Sequence, residues 1–241
     1  MHQSRFIIIW IKPEFSIAYE DILHNYSNDE EGVSTMKKIK IDSGMAFLSP
    51  MLMMLMLFFM TTVTDSLAQV PDAFTVIHSR KSVRNFTGQA VGKDVLDKIL
   101  RAGMAAPTAV NKQPWSFVVV TDRKTLDDLK DGLPHTKMLD KAGAAIVVCA
   151  IPEKAYEKKI EFAVIDSTCA GENILLAAEA LGLGAVWTAA YPYNDRMDFV
   201  RKTLNIPDNI IPLNVIPIGY PAGADKPKDK YKPENIHWEK W

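Results

Sequence analysis

The sequence has little of what marks a metal centre or a disulfide scaffold. Its 241 residues include two cysteines, Cys149 and Cys169, too few for either. Cys149 lies inside the apolar run AAIVVCAI and Cys169 inside a helical pattern, so both read as buried free thiols. The five histidines, His2, His24, His78, His135 and His237, form no pair at ligand spacing. A net charge of -1 with 24% charged residues provides no strongly basic face of the kind a nucleic-acid binder needs. Neither a G-x-G-x-x-G fingerprint nor a Walker loop is present. There is also no Ser-His-Asp type constellation and no internal repeat.

What is present divides the chain into three parts. Residues 36–68 begin with Met36 and the cations Lys37, Lys38 and Lys40, continue through an unbroken apolar run from Met51 to Met60, and end with small residues at Ser66 and Ala68. That order predicts an export signal cleaved after Ala68: cations stay at the cytoplasmic face, the apolar run enters the bilayer, and small side chains fit the peptidase. No twin arginine precedes the apolar run. The alternatives are an uncleaved membrane anchor and a core helix, because the stretch from Met45 to Met60, interrupted by Ser49 and Pro50, falls short of the ~20 residues of a comfortable span. Residues 1–35 hold the apolar patch FIIIWI and the acidic NDEEG, with no pattern of a folded unit. Translation from Met36 would leave them out of the protein. Residues 70–241 form the third part, a compact domain.

Within that domain Asp72 is placed to cap a short helix that ends near Ser79. VGKDVLDKILRAGMAAP repeats apolar residues at helical spacing up to Pro107. WSFVVVT predicts a strand over 115–121, followed by a polar helix over 124–130 and a second strand at AAIVVCAI, apolar enough for burial on both faces. Residues 160–181 make a long Ala- and Leu-rich helix that is either central or used at a subunit interface. GAVWTAA predicts a third strand, 195–204 a helix, and IIPLNVIPIGY a fourth strand, whose Pro212 and Pro217 imply an edge position or irregular pairing.

Three segments carry candidate chemistry, each with a plainer alternative. RKSVRNF sets Arg80, Ser82 and Arg84 at alternate positions around Lys81. It is either a cationic hook for an anion or the basic end of a helix, complementing its dipole. APTAVNKQPW offers the amides of Asn111 and Gln113 between two prolines. Such groups suit a flat heterocycle with polar edges, and they are equally ordinary turn residues. In the tail Lys226, Lys228, Lys230 and Lys232 recur at every second residue, which aligns them on one side of an extended chain or leaves them as a solvated tail.

Taken together, SRKSVRNF, APTAVNKQPWSFVVV, GENILLAAEALGLGAVWTA and PIGYPAGADKPKDKYKPENIHW resemble, in this order, the FMN-dependent nitroreductase family over about residues 72–238. The resemblance implies an α+β, three-layer α-β-α fold with a central mixed, mostly antiparallel sheet, and a homodimer with FMN at the interface. It implies that Arg80, Lys81 and Ser82 form the phosphate side, completed by Lys228 and Lys230. Arg84 matches the cation near the pyrimidine edge of the flavin, where positive charge favours reduction. Asn111 and Gln113 match the loop that approaches the flavin, often from the neighbouring subunit, while Trp187, Thr188 and Ala189 match the strand end lining its ring. The implied reaction is ping-pong hydride transfer from NAD(P)H through FMN to a small electron-poor acceptor such as a nitroaromatic or quinone. The segment between the second strand and the long helix is shorter than in the larger nitroreductases, which leaves the acceptor class open. An export signal would separate the enzyme from cytoplasmic NAD(P)H. The fold also supports a second reading, an envelope flavin-binding or flavin-modifying protein without nitroreductase turnover.

Overall fold

The computed structural model describes residues 6–11, 15–20 and 71–241. The chain divides into two compact units, Met1–Ser66 and Leu67–Trp241. In the first, β1 (Phe6–Ile11) and β2 (Phe15–Glu20) pair antiparallel from Phe6 opposite Glu20 to Ile11 opposite Phe15. This is a hairpin where the sequence pattern suggested no folded unit. The segment read as an export signal or anchor, with its cleavage point after Ala68, lies outside the described residues. Among the described residues no helix is long and apolar enough to cross a membrane.

The second unit begins with α1 (Ala73–Ser79), capped as expected by Asp72, whose Oδ1 accepts hydrogen bonds from Phe74 N at 2.9 Å and Thr75 N at 3.1 Å. There follow α2 (Lys93–Met104), β3 (Trp115–Val120), α3 (Arg123–Gly132), β4 (Ala144–Ala150), α4 (Ile160–Ala180), β5 (Gly184–Ala185), β6 (Thr188–Ala189), α5 (Asn194–Leu204) and β7 (Ile211–Gly219). The main sheet runs β3-β4-β7-β5, with β6 also paired to β7 and every ladder antiparallel. One parallel bridge, Ser82 to Ala185, joins the segment after α1 to the β5 side. The fold is α+β, as expected.

Every residue of β4 is buried, and the strand alternates between two cores. Ala145, Val147 and Cys149 face the cluster with Leu126 and Leu129 of α3 and Met197 and Val200 of α5. Ala144, Ile146 and Val148 face the cluster with Leu96 and Ile99 of α2 and Ile174 and Ala178 of α4. A strand apolar at consecutive positions satisfies both faces only when helices cover both, which gives the three layers.

Of the two readings of the fourth strand's prolines, irregular pairing is the one found: β7 lies between β4 and β5 and not at an edge. Opposite Pro212 the ladder slips, since Val148 pairs with Asn214 and Cys149 with Pro212, leaving Leu213 as the extra residue of a bulge. The third strand is split into β5 and β6. Gly184 and Ala185 pair with Gly219 and Ile218, and Thr188 and Ala189 pair with Val215 and Asn214. The register carries straight through the gap, so Val186 falls opposite Pro217. Leu213 turns its carbonyl toward this side, where it accepts from Ala190 N and Tyr191 N. By strand alternation Pro217 faces the same way and has no N–H for Val186.

Both cysteines are free, but the expected burial holds in full only for Cys149; Cys169 is partly buried, packed against the cluster of Ala106, Trp115 and Ala170. Burial pushes the Cys149 thiol up to about 12, a rise opposed by the Arg201 guanidinium. The thiol therefore keeps its proton in the folded state. Its contribution to stability is intact below the ordinary value of 9.0 and is lost as pH rises from there toward about 12. Alkylation at pH 8 followed by peptide mapping should leave Cys149 unmodified in the native protein and modify it after denaturation.

Candidate functional site

Immediately after α1 the chain becomes extended and is laced into the sheet. Val83 N donates to Ala185 O at 3.0 Å, beside the Ser82–Ala185 bridge. Further along, Thr87 N donates to Tyr220 O at 3.0 Å, Phe86 bridges to Pro221, and Ala222 N donates to Asn85 O at 2.9 Å. Val83 and Phe86 are buried as anchors. Alternation then leaves Ser82 and Arg84 exposed. The same lacing brings the start of the tail beside Arg84, although more than a hundred residues separate them in sequence.

The result is a cavity of about 330 Å³ lined by Arg80, Lys81, Ser82, Arg84, Asp225, Lys226, Lys228 and Lys230. All six residues predicted for the phosphate side and the pyrimidine edge line it. The helix-end reading of Arg80 also holds, since Arg80 is the residue that ends α1.

The cations are not equivalent. Lys81 Nζ is held by Glu179 of α4, at 2.9 Å from Oε1 and 3.2 Å from Oε2, with both side chains largely buried. Arg80 Nε stands 3.3 Å from Glu172 Oε1, a carboxylate about half exposed. Glu172 and Glu179 lie seven residues apart, two turns along one face of α4. Lys81 is thus committed to the helix, and Arg80 has a partner that solvent can replace. Lys226, Lys228 and Lys230 are exposed.

The remaining predicted residues do not line this cavity. Asn111 and Gln113 lie in an exposed loop after α2, where Gln113 Nε2 donates to Asn111 Oδ1 at 3.1 Å. Val110, Asn111 and Gln113 all have positive φ, at 50°, 55° and 50°. Such conformations cost of order 1–3 kcal/mol each in non-glycine residues and persist only when their surroundings impose them. Here the buried carboxylate of Asp166, on α4, accepts from Ala109 N at 3.3 and 3.2 Å, and the Thr108 hydroxyl accepts from Gln113 N at 3.1 Å. Trp187 fills the gap between β5 and β6 and packs its ring on α4 at Gly171, where a methyl group would lie 2.5 Å from ring carbon Cζ3. Thr188 uses its hydroxyl on Val215 O at 2.6 Å, and Ala189 is exposed. Because Ala185 pairs with Ser82, Trp187 follows the cationic segment's anchor by two residues.

A second cavity, of about 530 Å³, lies across the laced segment and is lined by Arg84, Phe86, Lys137, Met138 and Lys141 among others. Arg84 therefore stands in the wall between the two.

Sequence reasoning missed Asp225, Glu172, Glu179 and Asp166. The spacing of Glu172 and Glu179 on one helical face opposite adjacent cations was a usable signal. Asp225, one acid in a lysine-rich tail, gave none.

These features define an α+β protein with a cationic cradle built from an extended segment and the C-terminal tail. The model of the Nitroreductase family matches residues 77–133 and 130–220, and the chain belongs to that family, a family of oxidoreductases. A protein of Methanothermobacter thermautotrophicus named "Putative NADH dehydrogenase/NAD(P)H nitroreductase" is 41% identical over 181 residues, covering 75% of this chain and 94% of its own. The solved structure of a Parabacteroides distasonis protein of the same name is 49% identical with a TM-score of 0.66, covering 70% of this chain and 98% of that one. An FMN-dependent nitroreductase from Clostridium difficile is 26% identical with a TM-score of 0.64, covering 70% and 99%.

The cradle depends on a close approach at Gly184, where a methyl group would lie 2.6 Å from both Cβ and Cγ1 of Val83. Gly184→Ala should push the cationic segment off β5. The expected cost is about 1–3 kcal/mol, measured as a lowered midpoint of urea unfolding, with faster hydrogen exchange at the Val83 amide.

Proposed function

We propose that this protein is an FMN-dependent oxidoreductase that passes hydride from NAD(P)H to a small electron-poor acceptor, a nitroaromatic or quinone, and that it works as a homodimer. The observation that carries the reading is the cradle, in which Arg80, Ser82, Arg84, Lys228 and Lys230 surround one cavity. Its donors fit a phosphate monoester: guanidinium groups offer paired N–H donors, lysines offer point charges and the serine an O–H. Flavin chemistry is also consistent with the names of the relatives, which include an FMN reductase (NADPH) of Bacillus subtilis, 25% identical over 179 residues.

FMN, when bound, supplies the hydride-transfer chemistry. Arg80, Ser82, Lys228 and Lys230 hold its phosphate, and Lys81, fixed on Glu179, adds positive potential while keeping the segment in register with α4. Arg84 places a cation at the pyrimidine edge, where it favours the electron-rich state. Trp187, Thr188 and Ala189 line the ring plane, and the contorted loop brings the Asn111 and Gln113 amides to its polar edge from the neighbouring subunit. A dimer is supported by apolar surface that the single chain leaves bare: Phe74 and Ile77 of α1, Met104 of α2 and Ile165 of α4 are each more than half exposed. An apolar groove between α1, α2 and α4 adds to that face.

The test is titration of purified apoprotein with FMN, followed by quenching of flavin fluorescence. Stoichiometric binding is expected. Failure to bind FMN would overturn the proposal. Arg80→Ala should weaken FMN binding at least ten-fold, a loss on the scale of a charge-assisted hydrogen bond. Arg84→Ala should bind FMN yet slow its reduction in stopped-flow absorbance, and an unchanged rate would remove that role. Residues 36–68 are proposed to export the enzyme, with cleavage after Ala68. N-terminal sequencing of the fractionated protein should then begin at Gln69.

A further inference from the structure

Helix α4 grips the loop after α2 at both of its ends. Asp166 accepts from Ala109 N across both carboxylate oxygens, at 3.3 and 3.2 Å, and the next residue, Ser167, donates its hydroxyl to Pro114 O at 3.4 Å. Ile151 N donates to the same carbonyl at 2.8 Å. Asp166 and Ser167 are both buried. Among the described residues Ala109 N is the one donor that reaches this carboxylate, which has room for about four. A buried carboxyl group with a single donor is costly, and what it secures is the shape of the loop.

That shape is strained and gains nothing from burial. Val110 is β-branched, a residue type for which positive φ is an outlier, yet it sits at φ 50°, ψ 31° with its side chain 71% exposed. Asn111 and Gln113 have positive φ as well. Within the loop the Thr108 hydroxyl accepts from Gln113 N at 3.1 Å, and Gln113 Nε2 donates to Asn111 Oδ1 at 3.1 Å. The two amides are therefore tied to each other and to the first residue of the loop, and they move with it as one unit.

We propose that Asp166 and Ser167 are positioning residues: they hold the loop in a conformation it would not keep alone, so that Asn111 and Gln113 meet their ligand already in place. This rests on the FMN reading above, under which the ligand is the polar edge of the flavin. Neither residue touches it; both act through the two amides.

Hydrogen exchange of the apoprotein tests the grip without flavin. Gln113 N is bound by Thr108 and not by Asp166, so Asp166→Ala should speed its exchange together with that of Ala109 N, each by at least about ten-fold. Faster exchange at Ala109 alone would reduce the contact to one local bond and overturn the proposal. Titration with FMN then tests positioning by a double-mutant cycle. Asp166→Ala should weaken binding about ten-fold, and adding Asn111→Ala should weaken it no further, because both changes remove the same contact. Losses that multiply overturn the proposal, since Asp166 would then act through general stability. Asp166→Asn keeps an oxygen for Ala109 N and should recover most of the affinity. If Asp166→Ala does not fold, Ser167→Ala decides, because it leaves Pro114 O bonded to Ile151 N; unchanged Gln113 exchange and unchanged FMN affinity would then count against the grip. Wild-type protein that shows the coupled exchange but binds no FMN would overturn the proposed function and sustain the hold on the loop.

Discussion

The cradle exists because residues 82–87 are hydrogen-bonded to two partner segments, one near each end. Val83 N to Ala185 O ties them to β5, and Thr87 N to Tyr220 O with Ala222 N to Asn85 O ties them to the chain leaving β7. With Val83 and Phe86 buried beneath, the segment has one available register. A one-residue slip would lift Val83 and Phe86 out of the core and put polar residues in their places, Ser82 and Asn85 in one direction or Arg84 and Thr87 in the other. Cations from opposite ends of the domain thereby reach one cavity without a helix N-terminus or a glycine-rich loop. Charge is supplied by side chains, and its position by backbone pairing.

Helix α4 is the second organiser. Its apolar side closes one core layer through Ile174 and Ala178, while three carboxylates along it steady the regions around the site. Asp166 holds the strained loop by Ala109 N, Glu172 meets Arg80, and Glu179 binds Lys81. Gly171, between them, lets Trp187 lie against the helix. A single rigid element therefore sets the loop, the ring-side aromatic and part of the cation cluster relative to one another. Apart from these groups α4 reads as a featureless apolar helix, which is why its role was hard to see in the sequence.

How much could be read in advance follows from whether the cause was local. The Asp72 cap, the stop of α2 before Pro107 and the double-faced burial of β4 each arise from short-range pattern, and each appears as expected. The grouping of Arg80, Ser82 and Arg84 with Lys228 and Lys230 came through family resemblance, since no local rule joins residues so far apart. The split of the third strand and the place of the fourth have one source: the pairing of β7. Pro217 interrupts a neighbour's strand, and Pro212 sits at a bulge without moving β7 to an edge, effects that depend on which strand lies opposite. The ion pairs to α4 likewise needed the partners' placement before they acquired meaning.

The two walls of the cradle differ in how they are held. The Arg80–Arg84 wall is part of the sheet. After the Ala222–Asn85 bond the tail's own backbone hydrogen bonds join only near neighbours, such as Asn235 N to Lys232 O and Ile236 N to Pro233 O, and nearly all of its side chains are exposed. The first wall is thus fixed by backbone pairing, and the second is placed by the tail's attachment at Ala222. Changes to the sheet pairing would therefore displace the first wall together with the fold, whereas changes in the tail would alter the second wall and leave the sheet intact.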